Sequence, residues 1–69
     1  MSDRNARVDL TADFVMKSEN GVLLEFTNAR GLVDQKWFPL SQVSDKRRVS
    51  GNTYRMTIPM WLAEDRGVI

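Results

Sequence analysis

Residues 8–17 alternate strictly between two sides. Val8, Leu10, Ala12, Phe14 and Met16 fall on one, and Asp9, Thr11, Asp13, Val15 and Lys17 on the other. A period of two over that length is the pattern of a strand with one buried face. The run Val22-Leu23-Leu24-Glu25-Phe26-Thr27 alternates again, with Val22, Leu24 and Phe26 together. Between the two lies Asn20-Gly21, a strong hairpin signal. A two-residue loop would set Met16 against Glu25 and Phe14 against Thr27, so the apolar faces would disagree. A three-residue loop, Glu19-Asn20-Gly21, sets Met16 against Leu24 and Phe14 against Phe26. A one-residue slip inverts every side chain, so the second register is the expected one. It calls for Gly21 in the left-handed conformation at a bulge, and Gly21→Val is expected to damage the fold.

The turn Asn28-Ala29-Arg30-Gly31 leads into a third strand over residues 32–38, with Val33, Gln35 and Trp37 on one side. Pro39 ends it, because proline cannot donate to a ladder. Residues 39–43 predict one helical turn with Leu40 and Val43 facing inward. Asp45-Lys46-Arg47-Arg48 is a charged loop or edge. A second hairpin turns around Ser50-Gly51-Asn52, with Tyr54, Met56 and Ile58 on its inner face. Aligning Val49 with Tyr54 puts Arg48 opposite Arg55. Pro59 stops the strand and opens a short helix over residues 60–66. Gly67 takes the left-handed cap, and Val68 folds back on Ala63.

These elements predict one mainly β domain over residues 7–69, behind an unstructured tail of residues 1–6. The expected architecture is a small antiparallel barrel of SH3-like or OB-like kind, or a single curled sheet, of about five strands. A short C-terminal helix covers it. With 69 residues the chain buries only about 60% of the surface it exposes unfolded. It holds no cysteine and no histidine, so neither a disulfide nor a zinc site can staple it. Aromatic packing or self-association, such as a homodimer, has to supply stability.

The same absences exclude imidazole- and thiolate-based catalysis. Asp9 and Asp13 lie four residues apart on a strand, roughly 13 Å, too far to share a site. Ser41 has no base to activate it, and there is no phosphate-cradling glycine loop. A non-enzyme without cofactor or metal is expected. No apolar run reaches the ~18 residues of a membrane span and the polar start is no signal peptide. The expectation is a soluble cytoplasmic protein with no membrane partner.

Trp37-Phe38-Pro39-Leu40-Ser41-Gln42-Val43, followed by Ile58-Pro59-Met60-Trp61-Leu62-Ala63, resembles small phage and prophage proteins with a Trp-aliphatic-Pro-x-Ser-Gln-aliphatic motif and a closing Ile-Pro-x-Trp-Leu-Ala motif. The resemblance covers residues 32–67, about half of the chain. Phe38 and Leu40 stand where that pattern has isoleucine and lysine, so a basic contact at the second position would be missing here. The resemblance implies phage origin and the cytoplasm of a host cell, and carries no settled activity.

Two functions follow as expectations. The first is a non-catalytic accessory protein that binds and modulates a host protein. The second is a single-stranded nucleic-acid binder using Lys46, Arg47, Arg48 and Arg55 for phosphates, with Tyr54 and Trp37 for stacking. Residues 46–63 include four basic residues and no acidic one, and an Arg48–Arg55 pair would favour an anionic partner. The formal net charge of +1 leaves little long-range steering. Trp37 and Trp61 read first as core residues. Either one, if exposed, becomes the leading anchor for a protein interface.

Overall fold

The computed structural model describes residues 6–69. Its sequence-predicted tail lies outside the described residues except for Ala6. The strands are β1 (Arg7–Lys17), β2 (Gly21–Thr27), β3 (Val33–Pro39), β4 (Ser44–Ser50) and β5 (Thr53–Pro59), followed by α1 (Met60–Asp65), and the charged segment read as a loop or edge is the edge strand β4. A 3₁₀ turn (Leu40–Gln42) links β3 to β4, as the proline and the Leu40–Val43 spacing predict. The sheet is antiparallel throughout, in the order β3-β2-β1-β5-β4. It is open, a curled sheet with β3 and β4 as its two edges, so of the two expected architectures the curled sheet is the one adopted.

β1 serves both halves. Arg7 to Asp13 pair with β5, and Asp13 to Lys17 pair with β2. The first hairpin departs from its expected register. Lys17 faces Val22 and Met16 faces Leu23 across a longer turn, and beyond a bulge at Val15 the pairs become Phe14–Leu24 and Asp13–Glu25. The bulge lets the faces agree where a uniform register could not. Phe14 stays in phase with Leu24, while Met16 turns outward and Lys17 turns inward. Ser18 builds the turn. Its backbone N–H donates to the Gly21 carbonyl at 2.9 Å, and its Oγ accepts from the Gly21 N–H at 3.1 Å.

Gly21 is therefore a strand residue, paired with Pro39, without the left-handed φ expected of it. Its requirement is space. A Cβ there would stand 3.3 Å from Trp37 Cε3 and 3.4 Å from the Phe38 carbonyl oxygen.

The inner face of the sheet carries the core. Leu10, Ala12, Val22, Leu24, Phe26, Phe38, Met56 and Ile58 are buried there with Val43, Leu62 and Ala63. No polar or charged described residue is buried. Phe38 is 0% exposed and meets Phe26 edge-on, with ring centroids 5.7 Å apart. Trp37, its neighbour, points the other way and is 44% exposed, and Trp61 on α1 is 51% exposed. The expectation that the tryptophans are core is thus corrected. Strand parity allows only one of Trp37 and Phe38 inside, and the inner place falls to the residue opposite Val22, which is Phe38. On α1, Leu62 and Ala63 take the docking side.

A helix this short is unstable alone, and both its ends are tied down. Met60 donates its N–H to the Ala6 carbonyl at 2.8 Å, which serves where Pro59 offers no side-chain cap. At the other end Gly67 adopts φ 78°, its N–H bonds Glu64 and the Val68 N–H bonds the Ala63 carbonyl at 2.8 Å. That is the predicted glycine-capped ending. Arg66 donates Nε to the Trp37 carbonyl at 2.7 Å and lies over the Phe38 ring, 6.0 Å from its centroid.

Phe38→Ala is expected to cost about 3–5 kcal/mol, while Trp37→Ala costs at most about 1 kcal/mol, both read from urea denaturation midpoints. Gly67→Ala meets no atom within 4 Å, so its cost is conformational, about 1–2 kcal/mol. Each kcal/mol lowers the melting temperature of a domain this size by about 4–8 °C, and Gly67→Asn is expected to lose less.

Candidate functional site

The residues proposed from the sequence do not form one patch. β4 is an edge strand with two irregularities, and they decide where its cations go. Ser50 pairs with Thr53 as expected next to the turn. Val49 is then an extra residue, so Arg48 faces Tyr54 and Arg47 faces Arg55. The expected Arg48–Arg55 pair is corrected to Arg47–Arg55. A second bulge lies between Ser44 and Arg47, with Asp45 in the left-handed region at φ 53°. Aspartate tolerates that conformation better than most residues.

Two separate sites result. On the outer face, Arg47 and Arg55 share a polar cleft with Asp9, Asp45, Met56 and Thr57. Arg55 Nη2 donates to Asp9 Oδ2 at 3.0 Å, an exposed ion pair. Asp9 thus answers Arg55 from within the chain, while Arg47 lines the same cleft without an ion pair among the described residues. The neighbouring carboxylates are also engaged. Thr53 Oγ1 donates to Asp13 Oδ1 at 2.5 Å, Gln35 Nε2 donates to Glu25 Oε1 at 3.0 Å, and Thr57 Oγ1 donates to Asp45 Oδ2 at 3.4 Å. Asp9 and Asp13 serve different partners, in keeping with their separation along the strand.

On the inner face, Lys46 and Tyr54 line an apolar cavity of about 170 Å³ with Phe14, Lys17, Val22, Leu24, Leu40, Val43 and Met56. Arg48 shares that face, because it is paired with Tyr54. Trp37 belongs to neither site. It sits on the outer face of β3, opposite Leu23, at the far edge of the sheet from β4. Leu23 in turn faces Met16, so three apolar side chains cross the outer face in a row.

Arg7 holds the geometry of the β4 bulge. Its Nη2 donates to Ser44 Oγ at 2.7 Å and lies 3.2 Å from the Gln42 carbonyl and 3.3 Å from the Thr57 carbonyl. This ties the start of β1 to the linker and to both strands of the second hairpin.

Sequence reasoning missed Lys17 as a site residue. Uninterrupted alternation assigns it to the outer face, and only the Val15 bulge turns it in. A valine on the otherwise polar side of β1 is the one sign of that bulge in the sequence. The chain matches no model of a known protein family, no curated protein and no solved structure.

Removing the internal acids should expose the latent charge of the outer cleft. Asp9→Asn combined with Asp45→Asn is expected to change stability by no more than about 1 kcal/mol, since the ion pair is exposed. It should produce oligonucleotide binding at low ionic strength that the parent protein lacks, measurable by fluorescence anisotropy and abolished by salt.

Proposed function

We propose that this protein is a non-catalytic accessory protein that acts by binding another protein. The single observation that carries this reading is the exposure of both tryptophans, 44% for Trp37 and 51% for Trp61. A chain this small has few large residues with which to build a core, and leaving two indoles about half exposed forgoes part of the roughly 1.5–3 kcal/mol that full burial of a large apolar side chain brings. Tryptophan is among the residues most enriched as interface anchors, and on the outer face Trp37 extends an apolar row with Leu23 and Met16. The phage-like motifs at residues 37–43 and 58–63 make a host protein, in the host cytoplasm, the partner this reading favours.

Single-stranded nucleic-acid binding is the second reading, and it draws on Lys46, Arg47, Arg48 and Arg55. It is the weaker one because Asp9 and Asp45 stand in the same cleft as Arg47 and Arg55. A phosphate chain entering there would meet carboxylates, and Trp37 is too far across the sheet to stack a base beside those arginines.

Immobilised protein should retain a defined protein from lysate of the cells in which it is made. Retention should survive nuclease treatment and be lost with Trp37→Ala or Trp61→Ala, both of which should remain folded by circular dichroism. Retention abolished by nuclease would overturn the proposal. So would tight oligonucleotide binding at physiological salt that is lost with Arg47→Ala plus Arg48→Ala.

A further inference from the structure

Two β-bulges, in strands that are not neighbours, turn a lysine onto the same cavity. In β1 the extra residue Val15 brings Lys17 opposite Val22, onto the core side. In β4 the left-handed Asp45 brings Lys46 inward beside Met56. Bulges of this kind re-aim side chains and concentrate beside binding sites. Both lysines are exposed, and neither takes part in an ion pair among the described residues. The wall between them is mostly apolar, formed by Phe14, Val22, Leu24, Leu40, Val43 and Met56 with the ring of Tyr54.

We infer that this cavity is the anchor site for an acidic segment of the partner protein. One phenylalanine- or leucine-sized side chain enters the cavity, and flanking carboxylates meet Lys17 and Lys46. The inference rests on the reading of the protein as a protein binder, but it concerns a different surface from that of Trp37.

Three observations select this occupant. The first is size. A cavity of about 170 Å³ suits one side chain, since an apolar cavity of roughly 150 Å³ holds a benzene ring, whereas sites for whole small molecules span about 300–1,000 Å³. The second is wall chemistry. Apart from the Tyr54 hydroxyl and the lysines at its rim, the lining offers a nucleobase few partners for its polar edge, and burying such groups unpaired is costly; a hydrocarbon side chain loses nothing there. The third is charge. By register the inner face of the sheet carries Lys17, Lys36, Lys46 and Arg48 with Asp34 as its one acid. The outer face carries Asp9, Asp13, Glu25 and Asp45, of which Asp9 and Asp45 share a cleft with Arg47 and Arg55. The net charge of +1 conceals an inner face that attracts carboxylates.

The test is a backbone amide NMR titration of the full chain with a capped peptide of glutamates flanking a central phenylalanine. Saturable shifts are expected at Lys17, Val22, Val43, Lys46 and Met56. Affinity should fall about ten- to a hundred-fold when the phenylalanine is replaced by alanine, the loss expected from leaving one buried aromatic side chain unmade. Lys17→Glu plus Lys46→Glu, at two exposed positions, should abolish binding of this peptide and confer binding of a lysine-flanked phenylalanine peptide.

Absence of shifts at the cavity would overturn the inference, as would equal affinity for the alanine peptide. Stronger perturbation of the same residues by a single-stranded oligonucleotide would overturn it in favour of nucleic acid. Tryptophan-dependent, nuclease-resistant retention of a protein, together with a silent cavity, would refute this site alone and leave the proposed function standing. Loss of that retention as well would refute both.

Discussion

A single strand holds this structure together, because β1 has to satisfy two neighbours at once. Its first residues complete a ladder with β5 and its last residues a ladder with β2. The changeover occurs around Asp13 and Phe14, where Phe14 still donates its N–H to the Asn52 carbonyl in the second hairpin's turn, at 2.8 Å. Buried side chains from both halves must converge on one core, so the sheet has to curl about this strand. The Val15 bulge relieves the conflict between the apolar pattern of β1 and the register of the first turn. From that one adjustment follow the outward Met16–Leu23–Trp37 row and the inward Lys17.

The curl leaves an open side, and the chain closes it with short local devices in place of a covalent staple. The 3₁₀ turn spans from β3 to β4, with the Leu40 N–H donating to the Asn20 carbonyl at 3.0 Å and Arg7 fastening the far side. The helix is pinned by Ala6 at one end and by Arg66 and the glycine cap at the other. Arg66 joins three parts of the fold, since it follows the helix, bonds the backbone of β3 and lies over Phe38. A small domain without cysteine or histidine can be held in this way because each device satisfies backbone groups that would otherwise be left unpaired.

The same economy shapes the surface. Cations adjacent in the sequence are sent to opposite faces, Arg47 to the cleft with Asp9 and Asp45, Lys46 and Arg48 to the side of the apolar cavity. Of the two facing outer arginines Arg55 is answered by Asp9, while Arg47 and the inner lysines make no ion pair among the described residues and the two tryptophans stay about half exposed. A partner that brings apolar groups and carboxylates suits what is left over.

Much of the fold is legible in the sequence. Four of the strands, the proline at the end of β3, the 3₁₀ turn and the capped helix follow from alternation, proline and glycine placement, because these act over a few residues, whereas the charged run of β4 carries no alternation and reads equally as a loop or an edge. The candidate site is less legible, for a specific reason. Which face a side chain takes depends on parity, and one inserted residue reverses it. Val15, Asp45 and Val49 are such residues, and local propensity leaves each of them unmarked or faintly marked. Residue type and spacing alone thus determined a mainly β domain closed by a short helix. Tertiary pairing alone decided that Phe38 is buried and Trp37 exposed, that Arg47 faces Arg55, and that Lys17 joins Lys46 at one cavity. Register belongs to the pair of strands, and no single strand's sequence contains it.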